Sequence, residues 1–367
     1  MTGSDDLLSA THLFDPVRLT IARELRGLTK TELADFLEKT PSAVSQFESG
    51  RARPDPQTLR RTALALGLPI AFFTRRRTAA PIPLDACHFR SLRSATQRDR
   101  RRLLSTATLL CELVSELEEA VELPSDDVSR LGASPATVEE IDALAIEVRR
   151  AWGLGMGPIT SMVRLLEAKG VIVAPIAAGC EEVDAFSLWH AGRPLVFLVM
   201  DKHSPSRSRF DAAHELGHLV MHADVMPASQ AVERQANRFA SAFLMPRETF
   251  LMECPHRLVW GHFEELKRRW GVSLSALVRR AYDLGRFGEA TYRRACMQLN
   301  QKYNAGGVRR LEPHEPAVEV PTVVADAIEA LDEQNPLEGL ARRLGLSAST
   351  VSQLLPGAAA GSSWGGS

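Results

Sequence analysis

Apolar residues recur at helical spacing along most of this chain, and the breaks in that rhythm divide it. Between residues 17 and 73, Leu25, Leu28, Leu33, Ala34, Leu37, Val44, Phe47, Leu59, Leu64, Ala65 and Leu68 mark helix faces, cut into short pieces by Gly27, Pro41, Gly50, Pro54 and Gly67. The pattern predicts a small helical bundle. Thr29 is placed to cap a helix over Lys30–Leu37, and Thr40-Pro41 supplies the N-cap and first position of a helix over Ser42–Glu48. Two helices joined by so short a turn make a helix-turn-helix. Farther on, residues Arg98 to Glu122 predict one long helix with an apolar stripe of Leu103, Leu104, Ala107, Leu110, Leu113, Val114 and Leu117. Its partner is either the domain that follows or a second copy of the same helix.

The period changes at Pro194-Leu195-Val196-Phe197-Leu198-Val199-Met200, a short apolar run with strand composition. Helical patterns resume at His214–His218 and over Glu233–Leu244, where Ala236, Phe239, Ala240 and Phe243 form one face, then over Glu264–Trp270, Ser273–Leu284 and Glu289–Lys302. A hinge at Asn304-Ala305-Gly306-Gly307 and the proline-rich Glu312–Pro316 lead to a last helical unit. Within it, residues Leu337 to Leu354 have the rhythm of a second helix-turn-helix, or of a helical pair packed on the preceding domain. The fold class expected is mainly α with a small β-sheet, α+β. The domains expected are a flexible start (1–14), a five-helix bundle with the helix-turn-helix (15–78), a linker with the long helix (79–138), a domain with the strand run and the helices around it (139–303), a linker (304–318), a C-terminal helical unit (319–356) and a disordered Gly/Ser/Ala-rich tail (357–367).

Composition narrows the setting. A chain of 367 residues, 45% hydrophobic and 24% charged, is long enough for two or three domains. There is no 18-residue apolar run, and the acidic start Met1-Thr2-Gly3-Ser4-Asp5-Asp6 lacks the basic and apolar regions of a signal peptide, which predicts a cytoplasmic protein. Five scattered cysteines, Cys87, Cys111, Cys180, Cys254 and Cys296, fit reduced, structural thiols. The net charge of −1 conceals an asymmetry: residues 1–102 carry 18 Lys and Arg against 11 Asp and Glu. That excess, clustered at Arg75-Arg76-Arg77 and at Arg98, Arg100, Arg101 and Arg102, suits a protein steered onto phosphates.

The densest chemistry is His214-Glu215-Leu216-Gly217-His218. Residues four apart on a helix lie one above the other, so His214 and His218 can face one ion while Glu215 sits beside them to take a proton from water. Catalytic zinc takes three protein ligands and keeps a fourth position for water. Glu233, at the start of the following helix, is the third ligand expected. His222 continues the four-residue series, but eight residues of helix span about 12 Å, too far for one ion to reach both ends. It is assigned to the surroundings of the site or to the surface. The run Leu195–Val199 is expected to hold a substrate strand by backbone pairing, with Leu195, Phe197 and Val199 as contacts.

Arg209–His218 followed by Glu233–Pro246 closely resembles the ImmA/IrrE family of metallopeptidase-like proteins, and Trp152-Gly153-Leu154, Gly157-Pro158-Ile159, Leu166-Glu167 and Gly170–Val173 fit the same family's N-terminal portion. Together these cover about half the chain. The resemblance implies a zincin fold, Zn2+ held by His214, His218 and Glu233, Glu215 as general base, and protein substrates such as transcriptional repressors encoded nearby. Leu28–Ala34, Val44–Gly50, Pro54, Leu59 and Leu64–Pro69 resemble the XRE, or phage-repressor-like, DNA-binding family. That resemblance implies that the helix Ser42–Glu48 enters the major groove, with Ser42, Ala43 and Gln46 at base edges and Lys30 and Thr40 near phosphates. Glu38 and Lys39 stand where that family has Gly and an apolar residue, which places a carboxylate in a left-handed turn near the DNA backbone.

The function expected is a DNA-binding transcriptional regulator with a zinc-dependent endopeptidase domain that cleaves a partner repressor or antitoxin. Its partners are an operator in double-stranded DNA and that protein, with a homodimer among the assemblies considered. The alternative is a transcription factor whose peptidase-like domain senses a ligand or partner and cuts nothing.

Overall fold

The structure, a computed structural model, describes residues 10–76, 80–83, 96–128, 135, 137–176, 185–199, 204–222, 229–304 and 310–355. From Pro16 onward the described residues form α1 (Pro16–Leu25), α2 (Lys30–Leu37), α3 (Pro41–Glu48), α4 (Pro56–Leu66) and α5 (Ile70–Thr74). Their ends are written in the sequence. Asp15, Thr29, Thr40 and Asp55 each accept a backbone N–H of the first turn that follows, and Thr29 with Glu32 closes a capping box. Glu38 ends α2 in the left-handed region (φ 54°), as the turn predicts, and its exposed carboxylate pairs with Arg61 at 2.6 Å. Leu33, Ala34, Leu37, Val44 and Leu59 close the bundle's interior. Arg23 of α1 is buried and donates from Nε to Glu48 at 2.5 Å and from Nη1 to the carbonyl of Leu28 at 2.7 Å, fixing α3 against the α1–α2 corner.

The long helix α6 (Gln97–Glu118) packs on α1, on a small sheet and on the C-terminal helices, so its stripe is consumed within the chain rather than left for a second copy. Burial runs well beyond the stripe. Glu112 of α6 meets Arg18 of α1 at 2.7 Å with both side chains shut off from solvent, and Glu116 pairs with Arg75 and stands 3.8 Å from Arg343. Ile82 docks here too, half-buried against this core, with its N–H donating to Thr108.

Helices α7 (Val138–Ala151) and α8 (Met162–Ala168) lead into β1 (Ile172–Ile176), β2 (Ala185–His190) and β3 (Arg193–Val199), in the order β1-β3-β2, with β3 parallel to β1 and antiparallel to β2. Alternation divides the sheet between two cores. Ile172, Ala174, Phe186, Leu195 and Phe197 belong to the core shared with α6 and the N-terminal bundle; Val173, Ala185, Val196 and Leu198 belong to the core that contains Ala212, Ala213 and Leu216. The expectation that Leu195, Phe197 and Val199 pair with a substrate strand is therefore corrected. Strand β3 is central, both its edges are occupied, and Leu195 and Phe197 are fully buried against the α6 side. The side chain of Val199 lies outside the described residues.

Behind the sheet come α9 (Pro205–Met221), α10 (Gln230–Leu244), α11 (Arg247–Glu253), α12 (Trp260–Trp270), α13 (Leu274–Asp283) and α14 (Glu289–Tyr303). The last carbonyls of α10 have no partner within that helix, and two buried arginines supply them: Arg149 donates to the Phe243 carbonyl and Arg280 to the Met245 carbonyl. The expected linker, 304–318, and the residue after it make ion pairs with the preceding helices. Lys267, fully buried on α12, holds Glu312 and Glu315 at 2.7 and 2.6 Å, and Arg209 of α9 holds Glu319 at 2.7 Å. The chain ends in α15 (Val323–Glu329), α16 (Pro336–Leu344) and α17 (Ala348–Leu354), which close over α6 and α5 rather than over the metal helices. Cys87, Cys180, Arg77, most of the hinge at 304–307, the residues before 10 and the tail lie outside the described residues.

Candidate metal centre and nucleic-acid interface

Gly217 lets α9 and α10 approach closely: a Cβ there would stand 3.1 Å from the ring of Phe239. That contact brings Glu233, in the first turn of α10, over His214 and His218 on α9. The two His Nε2 atoms stand 3.0 Å apart, Glu233 Oε2 is 3.4 Å from His214 Nε2, and Oε1 is 3.8 Å from His218 Nε2. Two ligands bound at ~2.1 Å to one tetrahedral ion stand ~3.4 Å apart, so this spacing is of the right size. Glu233 Oε1 is buried with no hydrogen-bond partner, an arrangement costly for a carboxylate unless a cation meets it. The donor set of two imidazoles and one carboxylate suits a divalent metal of zinc's class.

His222, placed by sequence only near the site or on the surface, is fully buried and has a definite task. Gln235 donates from Nε2 to the carbonyl of Pro135 at 2.9 Å, which turns its Oε1 toward His222 Nε2 at 3.1 Å. His222 therefore carries its proton on Nε2, and its Nδ1 accepts from His218 Nδ1 at 3.1 Å. That leaves the Nε2 of His218 as a bare lone pair facing the site. Neither Gln235 nor this relay was read from sequence, because thirteen residues and a helix boundary separate Gln235 from His222.

Glu215 lies beside the ligands and accepts at Oε2 from the Ser187 hydroxyl at 2.7 Å. Burial pushes its carboxyl up to about 7, against the pull of His214 and of the Ser187 hydrogen bond. Burial pulls the imidazole of His214 downward, but the hydrogen bond to Glu233 and the charges of Glu215, Glu233 and Asp211 outweigh it, and the net direction is up. Ser187 was missed in sequence. It sits on β2, whose residues 185, 187 and 189 face α9 while 186, 188 and 190 face α6.

In the N-terminal bundle, Ser42 and Gln46 are exposed on α3, with Ala43 half-buried between them. Thr40 is exposed and its hydroxyl accepts the Ala43 N–H at 3.2 Å. Lys30 reaches across from the first turn of α2, its Nζ 2.8 Å from Ser45 Oγ and 3.3 Å from Glu48. The five residues expected at DNA thus share one edge of the bundle. A helix-turn-helix presents its second helix in this way to the major groove.

Two stretches of the chain match known families. Residues 19–73 match a family described as helix-turn-helix, and residues 166–282 match the M78 peptidase family, described as the IrrE N-terminal-like domain. The chain is also 36% identical over 67 residues to a candidate multi-protein-binding factor 1 of Yarrowia lipolytica, a match that takes in 18% of this chain and 44% of that protein. The chain thus spans less than half the length of that curated relative. It joins an XRE-type helix-turn-helix domain to an ImmA/IrrE-like, metallopeptidase-like domain. No helix among the described residues is long and apolar enough to cross a membrane.

Proposed function

We propose that this chain is a DNA-binding transcriptional regulator that cuts a partner protein, a repressor or antitoxin, at a zinc site formed by His214, His218 and Glu233. The observation that carries the reading is the convergence of those three side chains on one point, with an orphaned carboxylate oxygen among them and a second acid, Glu215, alongside. Zinc bound there would supply the positive charge that polarises a peptide carbonyl and acidifies a water. The chain's own part in the chemistry belongs to Glu215. It takes a proton from the attacking water and returns it to the departing amine, while Ser187 fixes its carboxylate through Oε2.

Substrate pairing moves from β3 to β2. Among the described residues β2 has β3 on one side only, and it carries Ser187, so a peptide added at its open edge would run past Glu215. On the DNA side, Gln46 is the side chain suited to a bidentate contact with adenine, and Lys30 and Thr40 suit phosphates.

The test is cleavage of candidate repressor and antitoxin proteins by the purified wild type and by Glu215→Gln, with zinc content measured on both. The expected result is about one zinc per chain in each and cleavage by the wild type alone. Zinc without cleavage by the wild type, across substrates and with DNA added, would move the reading to a regulator whose metal domain senses a ligand or partner.

A further inference from the structure

The C-terminal helices repeat the geometry of the DNA-reading pair. In the first unit, α2 ends at Leu37, Glu38 turns left-handed, one residue follows, and Thr40 caps α3 by accepting the N–H of Ala43 at 3.2 Å. In the second, α16 ends at Leu344, Gly345 turns left-handed (φ 66°), one residue follows, and Ser347 caps α17 by accepting the N–H of Thr350 at 3.2 Å. The buried positions coincide as well: Leu33, Ala34, Leu37, Val44 and Phe47 correspond in step to Leu340, Ala341, Leu344, Val351 and Leu354, all buried. On the outer face, Ser42, Ser45 and Gln46 correspond to Ser349, Ser352 and Gln353. Ser42, Gln46, Ser349 and Gln353 are exposed, and Ser45 and Ser352 are half-buried.

We infer that α16 and α17 form a second helix-turn-helix, and that Ser349 and Gln353 present a second DNA-reading edge. This rests on the DNA-binding reading of the first unit. Polar groups flank the edge. Thr350 and Gln353 line a cleft of about 90 Å3 together with Arg26, Asp99, Arg102 and Thr106. The exposed Arg102, which lines that cleft with Thr350 and Gln353, supplies positive charge beside α17. The turn itself differs in a way that fixes the unit in place. Where the first turn has the exposed pair Glu38 and Lys39, the second has Gly345 and Leu346, both buried, with Gly345 within about 3.1 Å of the backbone of Ala71 and Phe72 in α5 if given a Cβ. The second reading helix is thereby held rigidly to the first bundle, so the two edges sit at a fixed separation on one chain. One chain then contacts two segments of a duplex, a task that single-unit readers accomplish by dimerising.

Hydroxyl-radical footprinting of the full chain on duplexes selected from a random pool tests this, with Gln46→Ala compared against the double variant Ser349→Ala/Gln353→Ala. All three substituted positions are exposed, and unchanged melting temperatures check that folding is intact. The expected outcome is two protected segments in the wild type. Gln46→Ala weakens sequence selection in one by roughly 5- to 150-fold, and the double variant does so in the other alone. A double variant whose footprint and selection match the wild type, while Gln46→Ala loses selection, overturns the second reading edge. A wild type that selects no sequence overturns the DNA-binding reading of both units.

Discussion

At the scale of single residues, the metal site depends on a proton's position as much as on the ligands themselves. His214, Glu215 and His218 were legible in sequence because their spacing is a helical one, and Glu233 because it opens the next amphipathic stretch. The relay through His222 and Gln235 was not, since it is made by packing α10 against α9, which spacing along one helix does not reveal. Its consequence is specific. His222→Leu should leave His214, His218 and Glu233 in place yet lower zinc affinity by about 10- to 100-fold, because His218 is then free to carry its proton on the nitrogen that must face the metal. Competition of the purified variant against a zinc chelator measures this; an affinity equal to wild type would mean that the packing of α9 alone holds His218 in register.

At the scale of elements, most helices were placed by their caps and periodicity, and the errors concern partners. The run from Pro194 to Met200 was recognised as a strand, but its unbroken apolarity, rather than alternation, is the mark of a strand buried on both faces. Read that way it places β3 in the middle of the sheet and leaves substrate pairing to β2. The same holds for α6, where the stripe was visible but Arg18 on α1 and Glu112 were not recognisable as a pair across 94 positions. A buried ion pair is costly to break and cheap to replace. Arg18→Met, which removes the cation 2.7 Å from the buried Glu112 carboxylate, should cost about 3–5 kcal/mol in chemical denaturation, whereas Arg18→Met with Glu112→Leu should return close to wild type. A double variant as unstable as the single one would show that the pair, and the stacking of Arg18 over Phe72 at 4.8 Å, contribute net stability to the joint between α1 and α6.

At the scale of the whole molecule, the sequence suggested domains joined by linkers, because glycine- and proline-rich stretches separate the helical blocks. Ion pairs, some of them buried, also tie the blocks together. Arg18–Glu112 joins the DNA-binding bundle to α6, Arg193–Glu118 joins α6 to β3, and Lys267 with Glu312 and Glu315 clamps the C-terminal strap to the metal domain. The sheet is the shared wall: one face packs in the core that contains the bundle, the other in the core that contains the metal helices. A ligand that binds only the folded state stabilises whatever unfolds together with its site, by about 2.7 kcal/mol when its concentration is a hundred times its Kd. Zinc at that excess should therefore raise one calorimetric transition for the entire chain, and should slow hydrogen exchange in α1 to α3 along with exchange in α9 and α10. Two transitions, of which zinc moves only one, would mean that the DNA-binding bundle unfolds on its own despite the buried pairs. In that case a signal at the metal site would have no energetic route to the DNA-reading helices.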